Sequence, residues 1–337
     1  MPTARISFDD LLDLVARVFV VHGMSHFNAA LVAAVVAGAE RDGTLSHGLL
    51  RVPGYVSTLQ SGWVDGRAVP RVTDAAAGLV AVDAYNGFAQ VAIAAAREKL
   101  VSKARAAGIA GLAIRNSHHF ASLYPEVESL AEEGLVALTF LNSRSRLVPS
   151  GGISKLFGSN PMAFACPRAG GSPLVFDQAS AVMAHGEILL AAQHGRTLPE
   201  GVAVDAAGQT TTDPRAVLDG GALLPFGGHK GSSIALMIEL LAAAVTGGEF
   251  GFEDASPGFP GAQSSRAGQL IIAIDPDKSA GAHFQERVES LLTRITSNGN
   301  ARLPGQRRLA ARDDAVRNGI AVEQAALDGI RALAVVV

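Results

Sequence analysis

Three side chains that can move a proton or hold an anion lie close together in the segment RDGTLSHGLLR. His47 is a candidate proton donor because imidazole titrates near neutral pH, and Arg51 suits a carboxylate because its planar fork matches two oxygens. Ser46 could orient the imidazole ring or relay its proton. If the segment after Gly43 is helical, His47 and Arg51 share one face, since they are four positions apart. A helix-start serine, a surface histidine and a solvated arginine would look the same.

A carboxylate further along the chain could complete this group. Glu187 lies in the first turn of a predicted helix, where a negative charge favours the helix dipole. Its alternative role is to orient His47 and stabilise the charged imidazole as the third member of a relay.

Two histidines follow a strand predicted over residues 109–117, at the kind of strand end where α/β sheets bind ligands. His118 and His119 could be zinc ligands, but no cysteine is nearby, HExxH spacing is absent and no third ligand is evident. We therefore expect no metal here, and contact with an organic cofactor instead.

Glycines precede a predicted apolar helix in the segment PFGGHKGSS, residues 225–233. Such glycines let backbone N–H groups approach an anion, and Lys230 adds a full positive charge beside the helix start. The segment is not a Walker A loop, because GxxxxGK[ST] is absent. An ordinary glycine-rich turn into a core helix would have the same composition.

Three arginines surround a Pro-Gly turn in RLPGQRR, residues 302–308. They could form a solvated basic loop, which is the usual fate of a run of charges. They could also hold the phosphates or the ribose 2′-phosphate of a dinucleotide, for which guanidinium geometry is well suited.

The composition limits the class of protein. The chain has 337 residues and a net charge of -3, from 28 Lys and Arg against 31 Asp and Glu, which argues against nucleic-acid binding. A single cysteine, Cys166, excludes an intrachain disulfide framework and fits a reducing compartment. The start MPTARISFDD lacks a signal-peptide core, and the apolar runs are too short to span a bilayer. We expect a cytoplasmic protein with a small-molecule substrate and no nucleic-acid or membrane partner.

The hydrophobic pattern predicts an α/β fold. Strand, helix, strand, helix and strand follow one another between Gly78 and Asn142, which indicates a layered body. Helices are predicted to start at Ser7 and near Asn28, and Pro53 is expected to end the Ser46–His47 segment. Between residues 196 and 221 we expect a polar excursion. Further predicted elements are strands at 162–166, 173–180 and 268–276, and helices from 184 and at 234–245, 282–297, 309–317 and 323–334.

The chain resembles the malate/L-lactate dehydrogenase-like oxidoreductase family in ordered blocks that cover nearly its whole length. These blocks are RDGTLSHGLLRVPGYVSTLQSGWVDG, NSHHFASLYPEVESLAEEGLVALTFLNS, LFGSNPMAFA, VFDQASAVMAHGE, ALLPFGGHKGS and RLPGQRR. Within the family it is most similar to the reductases of two cyclic imino acids, Δ1-piperideine-2-carboxylate and Δ1-pyrroline-2-carboxylate, which use NADPH.

The resemblance implies an α/β fold distinct from the Rossmann type, with a largely antiparallel nucleotide-binding sheet and flanking helices. That fold accounts for the missing GxGxxG motif. The resemblance also implies a homodimer, and NADPH as cofactor with NADH as the alternative. The expected parts are a helical domain (1–75 plus 285–337), a nucleotide-binding domain (76–130 plus 220–284) and a third segment (131–219) that completes the substrate pocket.

The resemblance also implies roles for individual residues. His47 would be the proton donor, with Ser46 and Glu187 as its relay partners. Arg51 would hold the substrate carboxylate, and Ser159 would line the substrate. The residues expected to contact the cofactor are His119, Phe120, Ala121, Ser122, Leu123, Asp177, Gln178, Ala179, His229, Lys230, Arg302, Leu303, Pro304, Gly305, Gln306, Arg307 and Arg308.

Some positions depart from the family pattern. Glu187 stands where aspartate is expected, and Ser159 where threonine is expected. Ser150 and the stretch Arg144–Arg146 stand where small and apolar residues are expected. These departures leave the reaction type unchanged and put the choice of substrate in question.

Other functions fit parts of the sequence. An NAD-dependent 2-hydroxy-acid dehydrogenase, acting on malate, lactate or ureidoglycolate, would use the same residues. A hydrolase using Ser46 or Ser180 would lack a GxSxG elbow, and a serine adjoining its histidine in sequence is poorly placed for activation. A non-catalytic protein on the same scaffold would bind nucleotide without turnover.

Overall fold

The structure is a computed structural model that describes residues 2–335 of the chain. Its strands are β1 (Thr3–Ile6), β2 (Arg71–Ala76), β3 (Leu79–Phe88), β4 (Ile109–His118), β5 (Val136–Leu141), β6 (Met162–Cys166), β7 (Leu174–Gln178), β8 (Ala203–Val204), β9 (Thr210–Thr211), β10 (Ala222–Leu223), β11 (Ala267–Ile274) and β12 (Ile320–Glu323). Its α-helices are α1 (Phe8–Val21), α2 (His26–Arg41), α3 (Val52–Gln60), α4 (Ala89–Ala107), α5 (Tyr124–Glu132), α6 (His185–Gln193), α7 (Pro214–Leu218), α8 (His229–Glu239), α9 (His283–Thr296), α10 (Gln306–Asn318) and α11 (Gln324–Leu333).

A seven-stranded sheet with the order β2-β3-β4-β11-β5-β6-β7 forms the centre of the molecule. Strands β3 and β4 are parallel, and α4 joins them as the crossover that a parallel pair requires. The other neighbouring pairs in this sheet are antiparallel. The prediction of a largely antiparallel sheet with flanking helices is therefore confirmed.

The two faces of the central sheet are covered by different helices. Ala137 and Leu141 of β5 belong to a core that includes side chains of α4 and α5. Phe140, on the opposite face of the same strand, packs with Ile238 of α8. This alternation is the period of two expected of a strand buried on both faces.

A second core lies among the N-terminal and C-terminal helices, α1, α2, α3 and α11. Helix α1 begins where the sequence predicts, because the Ser7 side chain accepts a hydrogen bond from the backbone N–H of Asp10 at 3.1 Å. Strands β1 and β12 pair antiparallel and bring the two ends of the chain together. Neither strand was predicted, since four residues carry too little pattern to identify a strand.

The polar excursion expected between residues 196 and 221 contains a short helix, α7, and two strands of a small three-stranded sheet. Strands β5, β6 and β7, which the predicted division places in the third segment, pair into the same sheet as β3, β4 and β11. The sheet thus continues across residue 130, and the division into domains stays a prediction.

Several predicted boundaries were wrong. Pro53 lies in the first turn of α3 and begins that helix, because proline is well tolerated where the N–H has no helical partner. Helix α8 starts at His229, earlier than its apolar pattern indicates, and continues as a π-helical turn over Leu240–Ala244. Strand β2 was not predicted. None of the described helices is both long and apolar enough to cross a bilayer.

Candidate active site

The segment with Ser46, His47 and Arg51 does not form one α-helix. It forms two 3-10 turns, Leu45–His47 and Leu49–Arg51, separated by Gly48. The Ser46 hydroxyl lies 3.0 Å from Nδ1 of His47, and Nε of Arg51 donates to the carbonyl oxygen of Ser46 at 2.8 Å. The three predicted side chains are therefore close together, through a backbone different from the helix considered above.

Close packing from two sides fixes these turns. A carboxylate oxygen of Glu40, on α2, accepts a hydrogen bond from the backbone N–H of Leu49 at 2.9 Å. A side chain at Gly48 would collide with that carboxylate, so glycine is required. On the other side Gly186 packs so closely that a Cβ there would lie 2.8 Å from both Nη2 of Arg51 and Cβ of Ser46. The start of α6 therefore lies against the active-site turn.

Arg51 has no carboxylate within ion-pair distance in residues 2–335. It is only partly exposed, and burial lowers the pKa of its guanidinium. A buried cation without a counter-ion is costly unless an anion joins it. Arg51 therefore has the properties of an anion-binding group.

Tyr55 is a site residue that the sequence analysis missed. It lies on α3, four positions after Arg51, and its hydroxyl is buried with no hydrogen-bond partner in the described chain. Burial raises the pKa of this phenol, and the positive charge of Arg51 acts in the opposite direction. The i, i+4 spacing from Arg51 was the available signal. The ring packs against Phe19, Phe88 and Phe120.

The surroundings of His47 disfavour the charged form of its imidazole. Burial, followed by the positive charges of Arg51 and His119, lowers the pKa of His47 from 6.5 to about 3. Its role as proton donor requires a charged imidazole. A negative charge that joins the site would raise this pKa by offsetting the positive charges, which are the second of its two kinds of cause.

The two adjacent histidines have different surroundings. His118 is fully buried, with Nδ1 2.9 Å from the Ser264 hydroxyl and Nε2 2.9 Å from the side-chain oxygen of Asn86. Both of its ring nitrogens are occupied, so His118 is a structural residue. His119 places Nε2 2.6 Å from Glu126, whereas its buried Nδ1 has no partner in the described part of the chain. His119 is thus held by a carboxylate and has one nitrogen left for a ligand.

The residues after His119 lead directly into α5. Phe120 and Ala121 are buried, and the hydroxyl of Ser122 is buried without a hydrogen-bond partner among residues 2–335. Asp177, at the end of β7, accepts hydrogen bonds at 2.7 Å and 3.0 Å from the backbone N–H groups of Leu123 and Tyr124. Asp177 therefore caps the start of α5 with one carboxylate oxygen. Of the next two residues, Gln178 is exposed and Ala179 is partly exposed to solvent.

The loop 302–308 lies against the same region. A Cβ at Gly305 would be 2.9 Å from the carbonyl oxygen of Val175, two residues before Asp177. Leu303 anchors the loop with a nearly buried side chain. The exposed residues of the loop are Arg302, Pro304, Gln306 and Arg307.

Arg308 differs from the other two arginines of this loop. Its Nη2 lies 3.1 Å from Glu128, and its guanidinium lies 3.9 Å from the ring centre of Tyr124. Its side chain is only 11% exposed. Arg308 is therefore ion-paired within the chain, although its buried Nη1 and Nη2 form no hydrogen bond in the described residues, whereas the side chains of Arg302 and Arg307 in the same loop are exposed.

The start of α8 is open to solvent. Gly227 and Gly228 both have positive φ, 57° and 62°, and lead into exposed His229 and Lys230. The backbone N–H of Phe226 donates to Ser180, and Ser180 in turn donates to the carbonyl oxygen of Ser159, at 3.1 Å and 2.8 Å. The helix start and the predicted substrate residue Ser159 are thus linked through one backbone segment.

Glu187 is not brought to His47. Its side chain is exposed on the first turn of α6, and no hydrogen bond or ion pair in residues 2–335 involves its carboxylate. The neighbouring residue, Gly186, is the one that packs closely against Ser46. The predicted relay role of Glu187 finds no support in this geometry.

Comparisons with known proteins place the chain in a family. A model of the family described as malate/L-lactate dehydrogenase matches residues 6–331. The chain belongs to the malate/L-lactate dehydrogenase family. It is 55% identical over 333 residues to the Δ1-pyrroline-2-carboxylate/Δ1-piperideine-2-carboxylate reductase of Pseudomonas syringae pv. tomato, covering 99% of this chain and 97% of that protein.

A solved structure and a second relative are also similar to this chain over most of their length. The crystal structure of Δ1-piperideine-2-carboxylate reductase from Pseudomonas syringae pv. tomato has a TM-score of 0.95 at 55% identity, covering 98% of this chain and 99% of that one. A (2R)-3-sulfolactate dehydrogenase (NADP+) from Chromohalobacter salexigens is 41% identical over 317 residues, covering 93% of each.

Membership of the malate/L-lactate dehydrogenase family implies a nicotinamide cofactor. Features of this chain fit such a group. The buried Nδ1 of His119 and the buried hydroxyl of Ser122 lack partners in the described chain, and a polar ligand would satisfy both. Lys230 and the open start of α8 fit phosphate oxygens.

Proposed function

We propose that this protein reduces a cyclic imino acid, Δ1-pyrroline-2-carboxylate, Δ1-piperideine-2-carboxylate or both, to L-proline or L-pipecolate. The observation that carries the proposal is the unpaired guanidinium of Arg51 held beside the Ser46–His47 pair. The choice of an imino acid is supported by the 55% identical reductases.

Arg51 holds the substrate by its carboxylate, because a planar guanidinium can make two charge-assisted hydrogen bonds to that group. Fixing the carboxylate also fixes the adjacent carbon of the C=N bond, and such placement accounts for a large part of catalysis. A bound nicotinamide supplies the hydride to that carbon. His47 gives a proton to the nitrogen, so that one hydride and one proton convert C=N into CH–NH.

His47 becomes competent to donate when the substrate arrives. The substrate carboxylate offsets the positive charge of Arg51, which is one cause of the low pKa of His47. In the charged ring Nδ1–H donates to the Ser46 hydroxyl, and the other N–H is left for the substrate. Ser46 is thus a positioning residue for the ring.

NADPH is the proposed cofactor, with NADH as the alternative. The exposed guanidiniums of Arg302 and Arg307 lie on a loop packed beside Asp177, and they suit a ribose 2′-phosphate. Arg308 was expected to share this task, and because it is ion-paired with Glu128 we assign it the additional role of supporting the loop.

A homodimer in the cytoplasm is also proposed. The solvent side of α8 and its π-helical end carries large exposed apolar side chains, which a second copy could cover. These are Leu236, Met237 and Leu240, which are 48%, 37% and 49% exposed. The buried free thiol of Cys166 suits a reducing compartment. Light scattering after size-exclusion chromatography measures the assembly.

The test of the proposed function is a turnover panel. Purified protein is assayed by nicotinamide absorbance with NADPH and NADH against Δ1-pyrroline-2-carboxylate, Δ1-piperideine-2-carboxylate, pyruvate and oxaloacetate. The proposal predicts the highest kcat/KM with a cyclic imine. Faster reduction of pyruvate or oxaloacetate would show that the protein is a 2-hydroxy-acid dehydrogenase and not an imino acid reductase. Nucleotide binding without any turnover would indicate a non-catalytic protein.

A further inference from the structure

A second guanidinium, that of Arg146, lies near Arg51 at the start of α6, close enough for the charge of Arg51 to act on it. Nη1 of Arg146 lies 2.7 Å from Nε2 of His185, the first residue of α6. The next residue, Gly186, is the one whose Cβ would lie 2.8 Å from Nη2 of Arg51. Two adjacent residues of one helix start therefore lie beside the two arginines.

Arg146, like Arg51, has no acidic partner. In residues 2–335 no carboxylate lies within ion-pair distance of it, whereas its neighbour Arg144 is paired with Asp254 at 3.3 Å. Burial, with the charges of Arg144 and Arg51, lowers the pKa of Arg146 to about 9 against the opposing charge of Asp254, which is itself ion-paired with Arg144, so Arg146 is still a cation at neutral pH. His185 is kept neutral by burial and by the same arginines, and it can only accept from Arg146.

The result is an excess of positive charge that one carboxylate does not balance. Arg51 and Arg146 each carry a full charge, and the start of α6 adds a partial one. Mutual repulsion between partly buried cations is unfavourable, so an anion at each of them would be strongly stabilising. A substrate with a single carboxylate on Arg51 would leave Arg146 unpaired.

We propose that the substrate carries two acidic groups, a carboxylate held by Arg51 and a second anionic group held by Arg146. Resting on the proposed reduction of cyclic imino acids, this inference names the substrate class as a cyclic imine with a second carboxylate, such as Δ1-piperideine-2,6-dicarboxylate. Arg146 is then the residue that determines specificity, and His185 positions its guanidinium.

The experiment compares Δ1-piperideine-2-carboxylate with Δ1-piperideine-2,6-dicarboxylate, using NADPH, in the wild type, Arg146→Met and Arg146→Lys. A charge-assisted pair contributes about 1.5–3 kcal/mol, which corresponds to a preference of roughly tenfold to a hundredfold in kcat/KM for the dicarboxylate. Arg146→Met should abolish this preference mainly through KM, and Arg146→Lys should keep part of it. Arg196→Met, an exposed arginine beyond the other end of α6, is the matched control.

The outcomes separate the two proposals. If the wild type prefers the monocarboxylate and Arg146→Met leaves that ratio unchanged, the second anion site is wrong while the reductase function stands. If neither imine is reduced with either nicotinamide, the reductase function itself is wrong.

A binding measurement on the wild type covers the case in which Arg146→Met does not fold. Pyridine-2,6-dicarboxylate and pyridine-2-carboxylate are compared by thermal shift with EDTA and NADPH present. A larger stabilisation by the dicarboxylate supports the inference, and an equal or smaller one overturns it.

Discussion

Nε of Arg51 donates to the carbonyl oxygen of Ser46 at 2.8 Å, and this bond ties the anion-binding group to the residue beside the proton donor. It uses only Nε, so the two terminal nitrogens of the guanidinium are left for a ligand. Since Ser46 also contacts His47 at 3.0 Å, the positions of cation, hydroxyl and imidazole are coupled. The charge of a substrate carboxylate bound to Arg51 therefore also acts on the imidazole of His47.

Binding of a carboxylate ligand should be accompanied by proton uptake. Burial, and after it the charge of Arg51, lowers the pKa of His47 to about 3, and a bound carboxylate raises it by offsetting the charge of Arg51. Below pH 7 the complex then holds more protons than the free protein. Calorimetric titration of the NADPH-bound protein with pyrrole-2-carboxylate, in phosphate and in Tris, measures the uptake. His47→Gln should abolish it and His283→Gln, at an exposed position, should not; equal enthalpies in both buffers for the wild type would refute the coupling.

Stability should fall on acidification through His118. Burial and the charge of Arg266 lower the pKa of His118 from 6.5 to about 3. Between these two pH values the unfolded chain binds a proton at His118 and the folded chain does not. The contribution of His118 to the free energy of unfolding is therefore complete above pH 6.5 and is lost as the pH falls toward 3. The loss is about 1.4 kcal/mol per pH unit.

Urea unfolding from pH 7 to pH 5 measures this effect of His118. His118→Gln should be less stable than the wild type at pH 7, since the bonds to Ser264 and Asn86 are disturbed, and the difference should shrink at pH 5. His283→Gln serves as the exposed control. A constant difference across the range would show that His118 takes up its proton in the folded state.

Cofactor preference should depend on two of the three loop arginines. Arg302→Ala and Arg307→Ala should weaken NADPH binding by about tenfold or more, because each removes a charge-assisted contact worth about 1.5–3 kcal/mol. NADH binding should change little. Arg308→Ala should weaken both cofactors alike and lower the unfolding midpoint, since it removes the contacts with Glu128 and Tyr124. Fluorescence titration with each nucleotide measures these affinities. If Arg302→Ala and Arg307→Ala lost equal affinity for NADPH and NADH, the 2′-phosphate would be bound by other residues.

Much of the fold was predictable because its long elements carry clear signals. Helix α4 and strands β3 and β4 show regular apolar periods, and Ser7 marks the start of α1. The short strands β1 and β12 were missed because their pairing depends on contacts between distant parts of the chain. Pro53 was misread because proline both ends and begins helices, and its neighbours alone do not distinguish the two cases.

The site was predictable where local spacing determines contact. Ser46 and His47 are adjacent in sequence and also in space. Three-dimensional context was needed to separate His118 from His119, since the bonds that occupy His118 come from Asn86 and Ser264, far away in sequence. The same holds for Arg308, whose partner Glu128 lies on α5, and for Glu187, whose neighbour Gly186 fills the space next to Ser46.

The most direct test of the central claim is the turnover of His47→Ala with a cyclic imine and NADPH. The variant should retain the unfolding midpoint and the NADPH affinity of the wild type, while kcat falls by about two to four orders of magnitude because the general acid is lost. A folded His47→Ala protein with near-normal kcat would contradict the account.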